Sequence, residues 1–330
     1  MSSREALIAR FLADFGWADA RRGPLAGDAS FRRYDRLARG ADRAVLMDAP
    51  PPQEDVRPFV RVARHLAGLG LSAPALLAVD EVNGLLLLED LGDGTYTRRL
   101  AEGGDESMLY ALATDVLAEI AARPDSIAPG VPAYDDERLL TEACLLTDWY
   151  MPAMLGHDTD PAARAEYVEI WRRLFPVARL VPDTLVLRDF HVDNLMLLDR
   201  SGLAACGLLD FQDAVIGPAT YDLMSLLEDA RRDIDPVLIE TMKGRWLARL
   251  PGLDRAVFEA SWAVMAAQRH AKVIGIFTRL CRRDGKPGYL VHIPRVWRLL
   301  QGALAHPVLA ELRRWLDRHI PDDHRGVPSP

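Results

Sequence analysis

Three side chains in one short region carry the chemistry that this chain can offer. The stretch LVLRDFHVDNLMLL, residues 185–198, sets Asp189 at the end of an apolar run and Asn194 five positions later. After the turn Asp199-Arg200-Ser201-Gly202 the chain returns as CGLLDFQD, which puts Asp210 at the end of a paired strand. Phosphoryl transfer from ATP needs a carboxylate to take the proton of an acceptor hydroxyl, and hard oxygen ligands for a divalent cation that neutralises the phosphates. Asp189 is the candidate general base, and Asn194 and Asp210 are the candidate Mg²⁺ ligands. A plain β-hairpin with solvated acids at its turns has the same outline. The strand context shared by all three residues favours the chemical reading.

Candidate nucleotide contacts lie earlier in the chain. The small-residue turn Gly27-Asp28-Ala29-Ser30 separates two candidate strands, and such a turn can lay backbone N–H groups over phosphates. The strand after it reads FRRYDRL and its partner reads RAVLMDA. On the partner, the position that would face the phosphates, two after Val45 and on the same face, is Met47, which cannot neutralise charge. Every lysine of the chain (Lys243, Lys272, Lys286) comes later, so a cation here must be an arginine. Of Arg32 and Arg33, the alternation of strand faces favours Arg32, with Tyr34 on its side. Glu54 or Asp55 could orient it through a paired contact. The segment LLLLEDLGDGTY ends an apolar strand at Glu89-Asp90-Leu91-Gly92, where the backbone around Glu89 and Leu91 could pair with a purine.

These residues need elements to hold them. Leu7, Ile8, Phe11, Leu12 and Phe15 recur at helical spacing near the start, and residues 20–48 alternate as antiparallel strands broken at Gly27-Asp28 and at residues 39–42. An amphipathic helix over 56–69 follows Pro50-Pro51-Pro52, then two short strands over 75–79 and 84–88. From Tyr96 the pattern is helical, with runs near 105–122, 135–155, 161–178, 220–232, 235–248, 254–278 and 293–317, interrupted only by the short strands of 185–210. The expectation is an α+β, bilobal architecture: residues 1–90 a β-rich, nucleotide-binding lobe, and residues 91–330 a larger helical lobe for catalysis and acceptor. The tail PDDHRGVPSP reads as loose.

Composition narrows the partners. A net charge of -8 argues against nucleic acid and leaves a small molecule as the substrate class. No apolar run reaches the length of a membrane span, and the first residues do not read as a signal peptide. Cys144, Cys206 and Cys281 form neither a disulfide framework nor a metal pattern, which suits a cytoplasmic setting.

With these residues in place, the chain resembles the aminoglycoside phosphotransferase and choline kinase superfamily, small-molecule relatives of protein kinases. That superfamily usually writes its catalytic loop His-Gly-Asp-x₄-Asn, where this chain has Leu187-Arg188-Asp189. LVLRDFHVDNLMLL, GLLDFQDAVIGPATYDLMSLLEDARRD, KVIGIFTRLCRRDGKPGYL and GDASFRRY…VLMDAPP more closely resemble the anomeric N-acetylmuramate/N-acetylglucosamine kinases of bacterial cell-wall recycling. In that group Leu-Arg-Asp and the strand methionine are the ordinary spelling.

The resemblance implies a protein-kinase-like bilobal fold, ATP and Mg²⁺ as cofactors, transfer to the C1 hydroxyl of a free amino sugar, and a product passed to a sugar-1-phosphate nucleotidyltransferase. It implies that Asp189 is the base and Asn194 and Asp210 the metal ligands. Asp222 matches a structural aspartate that caps the next helix or braces the catalytic loop. Candidates for sugar contact are Arg188, His191, Gln212, Asp213 and Arg231. Lys272 and Arg279 join them from a basic cluster with Arg269, His270, Arg283 and Lys286, which reads either as a solvated face paired to local acids or as a site for the lactyl carboxylate of muramate. His191 lacks a partner at metal-ligand spacing. Other small alcohols, such as an aminoglycoside, choline or homoserine, are the alternative acceptors. A nucleotide-binding pseudokinase, which Met47 would suit, is the alternative outside catalysis. A protein kinase is disfavoured, because no APE-like segment or activation loop precedes GPATYD.

Overall fold

Alternating apolar residues build the first unit of the computed structural model, which describes residues 3–25 and 31–329. Five antiparallel strands, β1 (Arg21–Pro24), β2 (Arg33–Arg39), β3 (Asp42–Asp48), β4 (Leu76–Asp80) and β5 (Leu85–Glu89), form one sheet in the order β1-β2-β3-β5-β4. Ala44 and Leu46 of β3 and Leu85 and Leu87 of β5 pack with Ile8, Phe11 and Leu12 of the first helix, Ser3–Asp14. Val45, Met47, Leu86 and Leu88 are buried on the opposite face. Burial on both faces explains why β5 reads as an unbroken apolar run, with no alternation. Arg4 pins the helix to the sheet by donating Nε–H to Asp48 at 2.8 Å. Helix Arg57–Gly68 starts behind a proline at its second position and buries Phe59, Val60, Val62, Ala63 and Leu66, the apolar stripe its spacing predicts.

The chain groups by contacts into two units. The first comprises residues 1–116, 128–131 and 192–214, and the second 117–127, 132–191 and 215–330. The hairpin Leu195–Leu197 with Cys206–Leu208 therefore belongs with the sheet, although it lies far along the chain from it. Phe211 stacks on Phe59 with ring centroids 4.8 Å apart, within that same unit.

In the second unit, Asp183–Val186 pairs antiparallel with Val215–Pro218, and helices supply the rest. Two expected helical runs are broken. Residues 135–155 divide into Asp136–Ala143, a π-helical turn Leu146–Tyr150, and Met151–Leu155. Residues 293–317 divide into Ile293–Ala303 and Ala310–His319, because Pro307 cannot continue a helix. The long helix Arg255–Asp284 is capped by Asp254 and ends at Gly285 in the left-handed conformation. Its Gly275 lies so close to the backbone of Leu145 that no larger residue fits there. Among the described residues no helix is long and apolar enough to cross a membrane.

Candidate active site

Each unit holds part of the predicted constellation. In the first, a cleft of about 550 Å³ is lined by residues that include Tyr34, Arg36, Val45, Leu88, Leu91, Asn194 and Asp210. Tyr34 pairs with Met47 and Arg36 with Val45 across β2 and β3, so Tyr34, Arg36 and Val45 present one lining. Gly27, Asp28 and Ser30 lie outside the described residues. Arg32 stands just before β2 with its side chain largely buried, its Nη2 3.7 Å from Asp210 Oδ1 and its Nε 3.8 Å from Glu54 Oε2. Arg33 is exposed. Glu54 accepts the Phe31 N–H at 3.1 Å, whereas Asp55 pairs with Arg57.

Asp210 sits at φ +58°, a left-handed conformation uncommon outside glycine. Its carboxylate accepts Gln212 Nε2–H at 2.8 Å and Asn194 Nδ2–H at 3.4 Å. Asp213 is exposed beside Gln212. One carboxylate and one amide oxygen are hard donors of the kind Mg²⁺ takes, and among the described residues no group of three or more His, Cys, Asp or Glu gathers as a metal site. The donor set fits a cation that draws its other ligands from phosphates and water.

The end of β5 is more tightly tied than its sequence suggests. Glu89 accepts from Arg200 and from the Ala75 N–H, while Leu91 faces the cleft. Arg36 bridges Asp90 at 2.7 Å and Asp93 at 2.9 Å. Arg36, Asp90 and Asp93 were not among the expected site residues. The alternation that selects Arg32 and Tyr34 reaches Arg36 two residues later, so the signal was present.

In the second unit, the strand Asp183–Val186 delivers Leu187, Arg188 and Asp189. Arg188 has φ +72°, and the Asp189 N–H donates to Leu187 O at 2.9 Å, so the backbone turns sharply there. Asp222, in helix Thr220–Leu227, accepts the N–H of Leu187 at 2.5 Å and of Arg188 at 3.0 Å. It braces the loop and does not cap its own helix, whose cap position is Ala219. Burial raises the Asp222 carboxyl from 3.8 to about 7, against the two N–H donors that favour its anion.

Burial also pushes Asp189 upward, but Arg269, Lys272, His191 and Arg188 more than offset it, leaving its carboxyl below the ordinary range. His191 is buried, and burial with Arg231 and Arg269 nearby holds it below the usual histidine range despite Asp229 and Asp189. Asp189 is therefore an anion at neutral pH, the form in which a carboxylate can receive a proton.

Arg188 donates through Nη2 to Glu142, a contact that the sequence did not announce. Glu142 also accepts from Tyr134 Oη, from Gln268 Nε2 at 3.3 Å and from Lys272 Nζ at 3.0 Å. Its one legible sign is a glutamate beside Leu139 and Ala143 on the buried face of its helix. The basic cluster of the long helix is not a solvated face. Arg269, His270 and Lys272 are buried, with His270 on Glu228 at 2.7 Å and Arg269 donating to Arg188 O at 3.0 Å. Only its end fits the surface reading, with exposed Arg283 paired to Asp284 and Arg279 half-buried. Arg231 is exposed, its carbonyl held by Arg295 at 2.9 Å.

Known proteins resemble this chain in sequence and in fold. The family model described as "Phosphotransferase enzyme family" matches residues 22–259. An N-acetylmuramate/N-acetylglucosamine kinase of Caulobacter vibrioides is 39% identical, covering 98% of this chain and 99% of that protein. One of Pseudomonas aeruginosa is 42% identical over 92% of this chain and 90% of that protein. Among solved structures, a choline/ethanolamine kinase family protein from Mesorhizobium loti has a TM-score of 0.62 at 15% identity, covering 95% of this chain and 100% of that one. The GDP complex of aminoglycoside 2'-phosphotransferase-IIIa has a TM-score of 0.61 at 16% identity, covering 92% of this chain and 99% of that one. At such identities the structures speak for the kinase-like fold alone. A conserved-length match at about 40% speaks for more, and together with the family model it shows that the chain belongs to the phosphotransferase enzyme family.

Proposed function

We propose that the chain is an ATP-dependent kinase that phosphorylates the anomeric C1 hydroxyl of N-acetylmuramate, N-acetylglucosamine or both. The observation that carries this reading is the likeness, over nearly the whole chain, to kinases named for those two sugars. The held, ionised state of Asp189 and the hard-oxygen pair Asn194 and Asp210 support it.

In the proposed reaction Asp189 accepts the proton of the C1 hydroxyl as that oxygen bonds to the γ-phosphorus. The bond from phosphorus to the β,γ-bridging oxygen breaks, and ADP leaves with the electron pair. Asn194 and Asp210 would hold Mg²⁺, which when bound would offset phosphate charge. Arg32, oriented by Glu54, supplies the cation that Met47 cannot, and the cleft lined by Tyr34, Val45 and Leu91 receives the nucleoside. Gln212 keeps Asp210 turned by its hydrogen bond, and Asp222 keeps the Asp189 loop in place. A sugar 1-phosphate has lost its reducing end, and a nucleotidyltransferase is the class of enzyme that would consume it.

The test is phosphorus NMR of the product made from ATP and each free sugar, with a parallel panel of choline and an aminoglycoside. A phosphate coupled to the anomeric proton, on a sugar no longer able to reduce, is the expected result. A C6 phosphate, or turnover confined to choline or the aminoglycoside, would overturn the proposal.

A further inference from the structure

We propose that Glu142 is a positioning residue for the transfer: by holding the Arg188 guanidinium it fixes the backbone turn that presents Asp189. The inference rests on the reading of Asp189 as the base. It starts from a strained residue. At φ +72° a glycine sits without penalty, whereas an arginine is strained. Such strain persists only where the surroundings over-determine it.

Three contacts help to anchor Arg188. Its N–H donates to Asp222 at 3.0 Å, and its carbonyl accepts from Arg269 at 3.0 Å. Both use the backbone alone, and a glycine held only by them keeps its freedom to leave the turn. The third reads the side chain: the guanidinium pairs with Glu142 and lies 5.7 Å from the centre of the Tyr134 ring. Glu142 is thus a partner that an arginine, and not a glycine, can use at this strained position.

The glutamate is itself fixed. Its side chain is 14% exposed, and Tyr134, Gln268, Lys272 and Arg188 all donate to it, from the segment before its own helix, from the long helix and from the Asp189 loop. A half-buried and a buried cation, Arg188 and Lys272, share one carboxylate. Remove that charge and Arg188 and Lys272 lose a shared counterion and face each other as like charges, a repulsion relieved by moving the more mobile partner. The strained loop is that partner, and the next residue is Asp189.

The experiment compares Glu142→Gln, Glu142→Asp, Arg188→Gly and the double variant Glu142→Gln/Arg188→Gly in steady-state kinetics, with folding followed by circular dichroism and thermal melting. Asp189→Asn is run beside them. Because a displacement of about 1 Å costs on the order of a hundredfold, Glu142→Gln and Arg188→Gly should each lower kcat by roughly tenfold to a hundredfold, with KM for ATP within about twofold. The double variant should fall about as far as the worse single one, since both act through one contact, and Glu142→Asp should recover part of the loss.

A folded Glu142→Gln with kcat near that of the unsubstituted enzyme overturns the proposal, as do losses that multiply in the double variant. A rise in acceptor KM at unchanged kcat in Arg188→Gly also overturns it, because Arg188 would then be reading the sugar. If Glu142→Gln does not fold, Arg188→Gly, which relieves strain, decides alone by the same criterion. Full turnover in Asp189→Asn would remove the base assignment itself. An inactive Asp189→Asn beside an unaffected Glu142→Gln would remove only the role of Glu142.

Discussion

Asp222→Asn separates two opposed forces on one buried carboxyl. Two backbone N–H groups favour the anion, and burial favours the protonated acid; burial wins, raising the group from 3.8 to about 7. A raised acid pKa means that the folded state binds the proton more tightly than the unfolded chain. The associated stability is complete below pH 3.8 and is lost as pH rises through 7. At about 1.4 kcal/mol per pH unit, the fall from pH 5 to neutrality is about 2–3 kcal/mol.

Asparagine cannot titrate, and where the protonated acid still has a hydroxyl oxygen able to accept, it has an NH₂ that cannot, so one N–H of Leu187 or Arg188 loses its partner at about 1–3 kcal/mol. Asp222→Asn should therefore be the less stable protein at pH 5, and the gap should close by about 2–3 kcal/mol by pH 8. Urea unfolding of both proteins across this range measures the difference. The opposite slope from His191, whose lowered pKa costs stability as pH falls below the usual histidine range, is common to both and cancels. A gap that stays constant would refute the buried-acid argument, and one that widens with pH would show that the N–H donors prevail. Turnover of the variant should also fall, because the loop carrying Asp189 is no longer held at both N–H groups.

Asp189→Asn should abolish turnover while ATP binding by calorimetry changes little; activity near that of the unsubstituted enzyme would exclude Asp189 as the base. Arg32→Ala should raise KM for ATP more than Arg33→Ala, since Arg32 lies beside Asp210 and Glu54 and Arg33 faces solvent; the reverse ranking would overturn the strand-face argument. Gly275→Ala should lower the melting temperature at a cost of about 1–3 kcal/mol, because its methyl group would overlap the backbone carbonyl of Leu145. An unchanged melting temperature would mean that the long helix can shift away.

What was legible in the sequence is what local pattern and spacing determine. The five strands, the helix Arg57–Gly68 and the hairpin that ends at Asp210 follow from alternation, helical spacing and turn residues, each acting over a few neighbours. Strand alternation likewise singled out Arg32, and it would have found Arg36 had it been carried one step further. Helix breaks were harder. The π-helical turn at Leu146–Tyr150 arises where the chain passes Gly275, a contact between residues far apart in sequence. The basic run on the long helix shows the same limit in electrostatic terms. Whether a cation points to solvent or core is decided by the acid it meets, and for Lys272 and His270 those acids are Glu142 and Glu228, on other elements.

The Leu187-Arg188-Asp189 spelling joins both kinds of information. Leu187 is a buried apolar side chain, so its side chain gives the loop no hydrogen bond. The hold passes to the backbone, through the two N–H groups given to Asp222, and to Arg188 through Glu142. An arginine in a left-handed conformation, where glycine is the easy choice, is a local cost with a distant return. The sequence displays the cost at residue 188. The return is visible only once the fold has brought Glu142 to it from 46 residues away.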